Sequence, residues 1–171
     1  MQQRLPERFD PVAMVRAGRE FSGRLALAGM PRLLERVRTD RAGEFEVDLR
    51  FGTSDAGTDY VSGHIRGSLE LTCERCLEAM SHEVDIGFQL ALVESEALVE
   101  RIPEEFEPLV YGDEQLALKE LIEDEILLSL PMFARHEAEK CPGPPLGQGE
   151  EQEAEEPGKR QPFAVLKDLK I

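Results

Sequence analysis

Two cysteines three residues apart, Cys73 and Cys76, are the residues of this sequence best suited to chemistry. A Cys-x-x-Cys turn has the spacing of one half of a tetrahedral zinc knuckle, because a tight turn carries both thiolates to the same ion. The third and last cysteine, Cys141, has His136 five residues before it. The sequence therefore predicts one zinc ion bound by Cys73, Cys76 and Cys141, with His136 as the fourth ligand.

Other interpretations of these residues remain open at this point. The cysteine pair can be redox-active, but thioredoxin-type pairs usually have a flanking Trp and an internal Pro, and both are absent here. The cysteines can also be inert reduced thiols. His136 can equally be an exposed histidine that binds nothing, because its spacing to Cys141 is loose.

The charge of the chain is unevenly distributed. The formal net charge is −15, which repels phosphate and argues against a general nucleic-acid binder. Residues 1–41 carry nine arginines against five acids, a net of +4, which leaves −19 for the rest. The acidic part is either a solubility feature or a surface for a basic partner protein. Weak RNA contact is expected only at Arg32, Arg36 and Arg38.

Several classes of protein are excluded. There is no apolar stretch typical of a secretory signal, and no run approaches the roughly 18 apolar residues of a membrane helix. A cytoplasmic protein with no membrane partner is expected, and three cysteines in a reducing compartment favour metal or redox chemistry over disulfides. No Ser-His-Asp set, Gly-rich phosphate loop or Walker signature is present, so no catalytic residues and no enzyme are predicted.

Alternating apolar residues predict the strands that must position the cysteines. Period-two patterns cover Phe45–Phe51, Tyr60–Leu71 and Val84–Leu92. The Cys-x-x-Cys turn then lies at the tip between two long strands. Gly63 and Gly67 inside the first of these two strands suggest a bulge or a bend.

Helix signals flank the strands. Asp10 followed by Pro11 is typical of a helix start, and Leu33, Leu34 and Val37 suggest a short helical turn. A longer helix is predicted from residue 114 to 130, with Asp113 as its N-cap. On that helix Glu120, Glu123 and Asp124 fall on the polar face. The run Glu123, Asp124 and Glu125 is either a simply solvated face or a partner-binding patch, for which Glu123 and Asp124 are the proposed contacts.

The expected architecture is α+β. Residues 1–141 form a single domain, a curved antiparallel sheet of about five or six strands packed by one long helix and one or two short ones. Residues 142–161 are rich in Pro and Glu and read as a disordered acidic linker. Residues 162–171 form a docking peptide, in which Phe163, Leu166 and Leu169 make an apolar helical stripe. An external partner is favoured for this stripe, and packing on the protein's own sheet is the alternative.

Four motifs in this order resemble the YceD family of large ribosomal RNA subunit accumulation proteins. They are the Cys73–Leu77 turn, the Leu121–Pro131 helix, Cys141, and the terminal Pro162–Leu166 segment. Many relatives have a second full cysteine pair after the helix. Here His136 and Cys141 stand in that region, so either His136 replaces a thiolate or metal binding is lost.

The resemblance implies a bacterial, cytoplasmic protein needed for normal levels of large-subunit ribosomal RNA, with no established enzymatic activity. It also implies a large-subunit ribosomal protein or assembly factor as partner, with the RNA contacted at most indirectly. The expected function is therefore a non-enzymatic accessory factor in ribosome biogenesis. The alternative is a thiol- or metal-dependent redox or regulatory protein. The oligomeric state is not indicated.

Overall fold

A five-stranded sheet forms the centre of the computed structural model, which describes residues 5–38, 43–112, 115–137 and 139–143. Its strands are β2 (Glu20–Ala26), β3 (Glu44–Thr53), β4 (Asp59–Thr72), β5 (Ala79–Val93) and β6 (Glu107–Val110), paired in that order. A separate two-stranded ladder joins β1 (Arg8–Phe9) to β7 (Leu116–Ala117). Within these described ranges there are three α-helices: α1 (Pro11–Arg16), α2 (Pro31–Leu34) and α3 (Leu118–Ser129). The α+β prediction is confirmed.

The sheet is mixed rather than wholly antiparallel. Strands β2 to β5 pair antiparallel, but β6 runs parallel to β5, with Leu92 opposite Leu109. A parallel neighbour needs a crossover connection, and residues 94–106, which contain a 3₁₀ segment at Glu96–Arg101, supply it. Pro108 is compatible with β6 because an edge strand can leave one N–H position unpaired.

The predicted bulge in β4 is wrong. The register between β4 and β5 runs unbroken from Tyr60 opposite Ala91 to Thr72 opposite Ala79. The two glycines instead make room for aromatic rings on the core face. A Cβ on Gly63 would lie 2.3 Å from Cζ of Phe88, and one on Gly67 would lie 2.5 Å from Cδ1 of Phe45.

A side-chain cap explains where α1 begins, and strand pairing explains where α3 begins. The side chain of Asp10 accepts a hydrogen bond from the backbone N–H of Ala13 at 3.1 Å, which confirms the predicted start of α1. Helix α3 begins at Leu118, later than predicted, because Leu116 and Ala117 pair with β1 as a strand. The proposed N-cap Asp113 lies outside the described residues.

The core lies between one face of the sheet and the three helices. Alternate residues of β3 and β4 point into it, as the period-two pattern predicted, and α3 contributes a broad apolar stripe. Its fully buried large side chains include Phe9, Met30, Leu33, Phe45, Ile65, Leu118, Ile122 and Ile126. In the part of the chain that the structure describes, no helix has the length and apolar character needed to cross a lipid bilayer.

Candidate metal centre

The cysteine turn is the connection between the two longest strands. β4 ends at Thr72 and β5 begins at Ala79, so residues 73–78 reverse the chain. The backbone N–H of Cys73 donates to the carbonyl of Glu78 at 2.9 Å, and that of Leu77 donates to the carbonyl of Cys73 at 2.8 Å. Leu77 has a positive φ of 62°, the left-handed conformation that closes the turn. The predicted position of the turn at a strand tip is confirmed.

The segment that follows α3 packs against this turn. The backbone N–H of Glu74 donates to the carbonyl of Ala134 at 2.8 Å, which fixes the two chain segments side by side. Two residues later the backbone N–H of His136 lies 3.5 Å from Sγ of Cys73. The end of the long helix therefore delivers His136 and Cys141 to the tip of the hairpin.

The four predicted ligands converge on one point. Sγ of Cys73 lies 3.9 Å from Sγ of Cys141, and Sγ of Cys76 lies 3.4 Å from Nδ1 of His136. One donor atom from each of the four residues lies within 4.8 Å of all the others. Zn–S bonds of about 2.3 Å and Zn–N bonds of about 2.1 Å in a tetrahedron require separations of roughly 3.5 to 3.8 Å. The two contacts, at 3.9 Å and 3.4 Å, each lie about 0.1 Å outside that range, close to the size of a tetrahedral site.

The second ring nitrogen of His136 determines which nitrogen faces the cluster. Nε2 lies 3.1 Å from the carbonyl oxygen of Ala79, the first residue of β5. A carbonyl only accepts, so Nε2 carries the proton and Nδ1 presents a lone pair toward Cys76. Metal-bound histidines are commonly oriented by such an outer hydrogen bond. The backbone of β5 thus holds His136 in the tautomer that binds a cation.

The thiols are surrounded by groups that act in opposite directions on their acidity. Burial raises the pKa of Cys73, but N–H donors from the backbone of His136, Cys76 and Arg75 outweigh it and lower the pKa to about 5. Burial raises the pKa of Cys76, and the neighbouring thiols Cys73 and Cys141 raise it further. Both thiolates can coexist at neutral pH once a cation lies between them, which is the chemistry of a structural zinc site.

Two residues outside the predicted ligand set close the site. Gly143 lies directly against Cys76, where a Cβ would come within 3.0 Å of Cβ of Cys76. Its carbonyl accepts a hydrogen bond from Nη2 of Arg75 at 3.2 Å. Gly143 lies within the range predicted to be a linker, and the Cys141-Pro142-Gly143 run is the sequence signal for its position beside the cluster. The cluster therefore has four protein donors, and Gly143 packs directly against one of them, Cys76.

The acidic residues of α3 are placed differently from the prediction. Glu123 is buried, with 2% of its surface exposed, so its prediction as part of a solvated or partner-binding face is wrong. Its carboxylate accepts hydrogen bonds from within the chain, from the backbone N–H of Leu33 and from the side chain of Arg32. Asp124 is exposed and also pairs with Arg32. Of the three acids in the predicted patch, Asp124 is exposed and Glu125 is half-buried.

The three arginines predicted to contact RNA have different surroundings. Arg32 is held by the two acids of α3, and its pairing with Asp124 and Glu123 raises its pKa. Arg36 is exposed, and the backbone N–H of Arg38 donates to the carbonyl of Glu70 at 2.8 Å. Phe163, Leu166 and Leu169 lie outside the described residues, as does the linker from residue 144 onward.

Comparison with known proteins places this arrangement in a family. A family model described as Large ribosomal RNA subunit accumulation protein YceD matches residues 61–170, which include the cysteine turn, α3 and all four cluster residues. The chain belongs to the YceD family. A YceD protein of Haemophilus influenzae, described in the same words, is 27% identical over 169 residues, covering 98% of this chain and 97% of the relative. No solved structure matches the chain. The family resemblance predicted from the motifs is confirmed.

Proposed function

We propose that this protein is a non-enzymatic accessory factor needed for the accumulation of large-subunit ribosomal RNA in the cytoplasm. The observation that carries the proposal is the match to the YceD family over residues 61–170, together with a relative of that name that aligns along nearly the whole chain. The geometry of the cysteine cluster supports a non-catalytic role. Catalytic zinc sites keep one position open for water or substrate, whereas four protein donors fill a tetrahedral site.

Zinc is the cofactor that we propose for the cluster, bound by Cys73, Cys76, His136 and Cys141. Three thiolates and one imidazole are a donor set typical of structural zinc. When bound, the ion would join the β4–β5 turn to the segment that follows α3. Its role is then to hold the β4–β5 turn and the segment after α3 together at one end of the sheet, where a partner binds both.

A basic protein partner is supported by the outer face of the sheet. The register places seven acids and three arginines on the face opposite the helices: Glu20, Glu44, Glu46, Asp48, Glu70, Glu83 and Asp85, with Arg24, Arg50 and Arg66. Some of these charges pair across strands, as Arg66 does with Asp48 at 2.6 Å. The excess of acids attracts a basic protein and repels RNA phosphates. We therefore propose a large-subunit ribosomal protein or assembly factor as the partner, with indirect contact to ribosomal RNA.

The decisive experiment is complementation. Haemophilus influenzae cells depleted of their YceD relative would receive this chain or an empty vector, and the ratio of large- to small-subunit ribosomal RNA would be measured. We expect the chain to restore the ratio and the vector not to. A chain that is stably expressed but leaves the ratio low contradicts the proposal.

A redox or regulatory protein is the rival interpretation, and metal content separates the two. Protein purified without chelator should contain about one zinc per chain and thiols that resist alkylation. A metal-free protein whose Cys73 and Cys76 cycle between dithiol and disulfide would instead support redox chemistry. This measurement is independent of the complementation, so the cofactor and the cellular role can fail separately.

A further inference from the structure

A groove of about 790 Å³ that is lined by both apolar and charged residues borders the cysteine turn. It lies between the turn, the residues around α2, and the end of α3 with the segment after it. The half-buried Leu127 and Leu130 contribute apolar surface. Leu77 and Met132 also line the groove, with 72% and 86% of their surface exposed. Large apolar side chains exposed together are typical of a binding surface.

Leu77 carries an additional conformational cost. Its φ of 62° lies in the left-handed region, where glycine and asparagine are favoured and a leucine is disfavoured by roughly 1–2 kcal/mol. The side chain gains little from burial in return, because it is mostly exposed. A leucine in a strained backbone position at the edge of a groove indicates that its side chain contacts a binding partner in that groove.

The position of Gly143, the last described residue, indicates which part of the chain contacts Leu77. Gly143 packs on Cys76, the residue directly before Leu77, so the chain leaves the described fold beside the groove. Eighteen residues, 144–161, separate Gly143 from Pro162. A coil of that length spans roughly 23 Å and gives an effective concentration on the order of millimolar for a site near its origin. Even a weak intrinsic affinity would then be enough for docking.

We propose that this groove is the docking site of the chain's own C-terminal segment, residues 162–171. The stripe of Phe163, Leu166 and Leu169 supplies the apolar surface, and a ten-residue helix needs such a contact because it is unstable alone. Glu35 and Glu74 at the groove are suited to Lys167 and Lys170 of the segment, but Arg32 and Arg36 line the same groove and balance its formal charge. The apolar stripe, together with the short tether, therefore carries the docking. The sequence pattern favoured an external partner, whereas the groove provides a site within the chain.

Intramolecular cross-linking of the purified full-length protein tests this proposal without reference to ribosomal RNA. A benzophenone amino acid would replace Phe163, and the protein would be irradiated at low micromolar concentration. We expect a cross-linked product of monomer mass, with the bond mapped by mass spectrometry to Leu71–Leu77 or Leu127–Met132. The same probe at Asp168, on the opposite side of the stripe, should give at least fivefold less product.

Two substitutions serve as a second check. Leu77→Asn suits the left-handed backbone, and Met132→Ser alters a side chain that is almost wholly exposed, so neither should impair folding. Together they should lower the yield from the probe at position 163 at least fivefold. A cross-linked dimer would show that the segment docks on a second copy. That result, cross-links mapped elsewhere, or no cross-link at all would each overturn the proposal.

Discussion

The carboxylate of Glu123 accepts a hydrogen bond from the backbone N–H of Leu33 at 2.9 Å, across 90 residues of sequence. Leu33 is the third residue of α2, whose N-cap residue, Met30, has no side-chain oxygen to accept such a bond. Glu123 therefore caps α2 from α3, and its negative charge lies at the positive end of the short helix. Arg32 completes the contact at 3.0 Å from the same carboxylate.

This contact predicts a large loss of stability for Glu123→Ala. The substitution leaves the N–H of Leu33 buried without an acceptor, which costs about 1–3 kcal/mol. Urea unfolding should show a lower midpoint. Asp124→Ala is the matched control, because it removes an exposed partner of the same Arg32, and exposed pairs contribute little. Equal losses for the two variants would contradict the capping role.

The zinc proposal predicts a specific order among ligand variants. Cys76→Ser should lose the ion and melt at a lower temperature, because closed structural sites need all four ligands. His136→Cys should retain about one zinc per chain, since a fourth thiolate suits the same tetrahedron. Elemental analysis of protein purified without chelator measures both. Wild-type protein with well under half an equivalent of zinc would refute the assignment.

Replacing Gly63 of β4 and Gly87 of β5 by alanine should have contrasting effects on stability. Gly63→Ala puts a methyl group into the ring of Phe88, and overpacking of this kind costs about 1–3 kcal/mol. Gly87→Ala faces away from the core, where the nearest atom would be the carbonyl oxygen of Gly63 at 3.8 Å. It should leave stability nearly unchanged. Chemical unfolding of the two variants checks the assigned faces.

Replacing Glu125 by glutamine should increase the stability of the protein in a pH-dependent way. Burial raises its pKa above the ordinary 4.5, and Glu107 and Asp124 raise it further. An acid with a raised pKa in the folded state destabilises the fold once the pH exceeds that pKa, and has no such effect below 4.5. Glu125→Gln should therefore be more stable than wild type at pH 7, with the difference vanishing below pH 4.5.

Glu120→Gln provides the comparison for that measurement, because Glu120 is exposed on the same helix. Its unfolding free energy should follow that of wild type at both pH values. If Glu125→Gln also follows wild type across this range, the environment assigned to Glu125 is incorrect.

The parts of the fold that were predicted correctly are those that depend on local sequence patterns. Alternation on both sides of the turn places Cys73 and Cys76 at a strand tip, because only period two buries Leu69 and Leu71, two residues apart, on the same face. The cap at Asp10 is similarly local. Both features depend on residues within a few positions of each other, which one sequence displays directly.

The features that were missed depend on distant partners. Glu123 resembles a surface residue until α2 supplies the N–H of Leu33, and Leu116 resembles a helical residue until Phe9 pairs with it. Likewise, β6 contains Glu107 and Pro108, which are uncommon in strands. It forms a strand because it pairs with the edge of β5, and no local sequence pattern shows that pairing. Gly143 is a linker glycine by composition, and its contact with Cys76 is visible only in three dimensions.

The distance in sequence between the two halves of the cysteine cluster imposes an order on biosynthesis. Cys141 is translated 65 residues after Cys76, so at typical elongation rates a nascent chain waits roughly 3 to 13 seconds with its hairpin tip incomplete. During that interval the two thiols of the turn have neither His136 nor Cys141 beside them. Oxidative damage and capture of the wrong ion therefore compete with correct assembly during translation, before the finished protein leaves the ribosome.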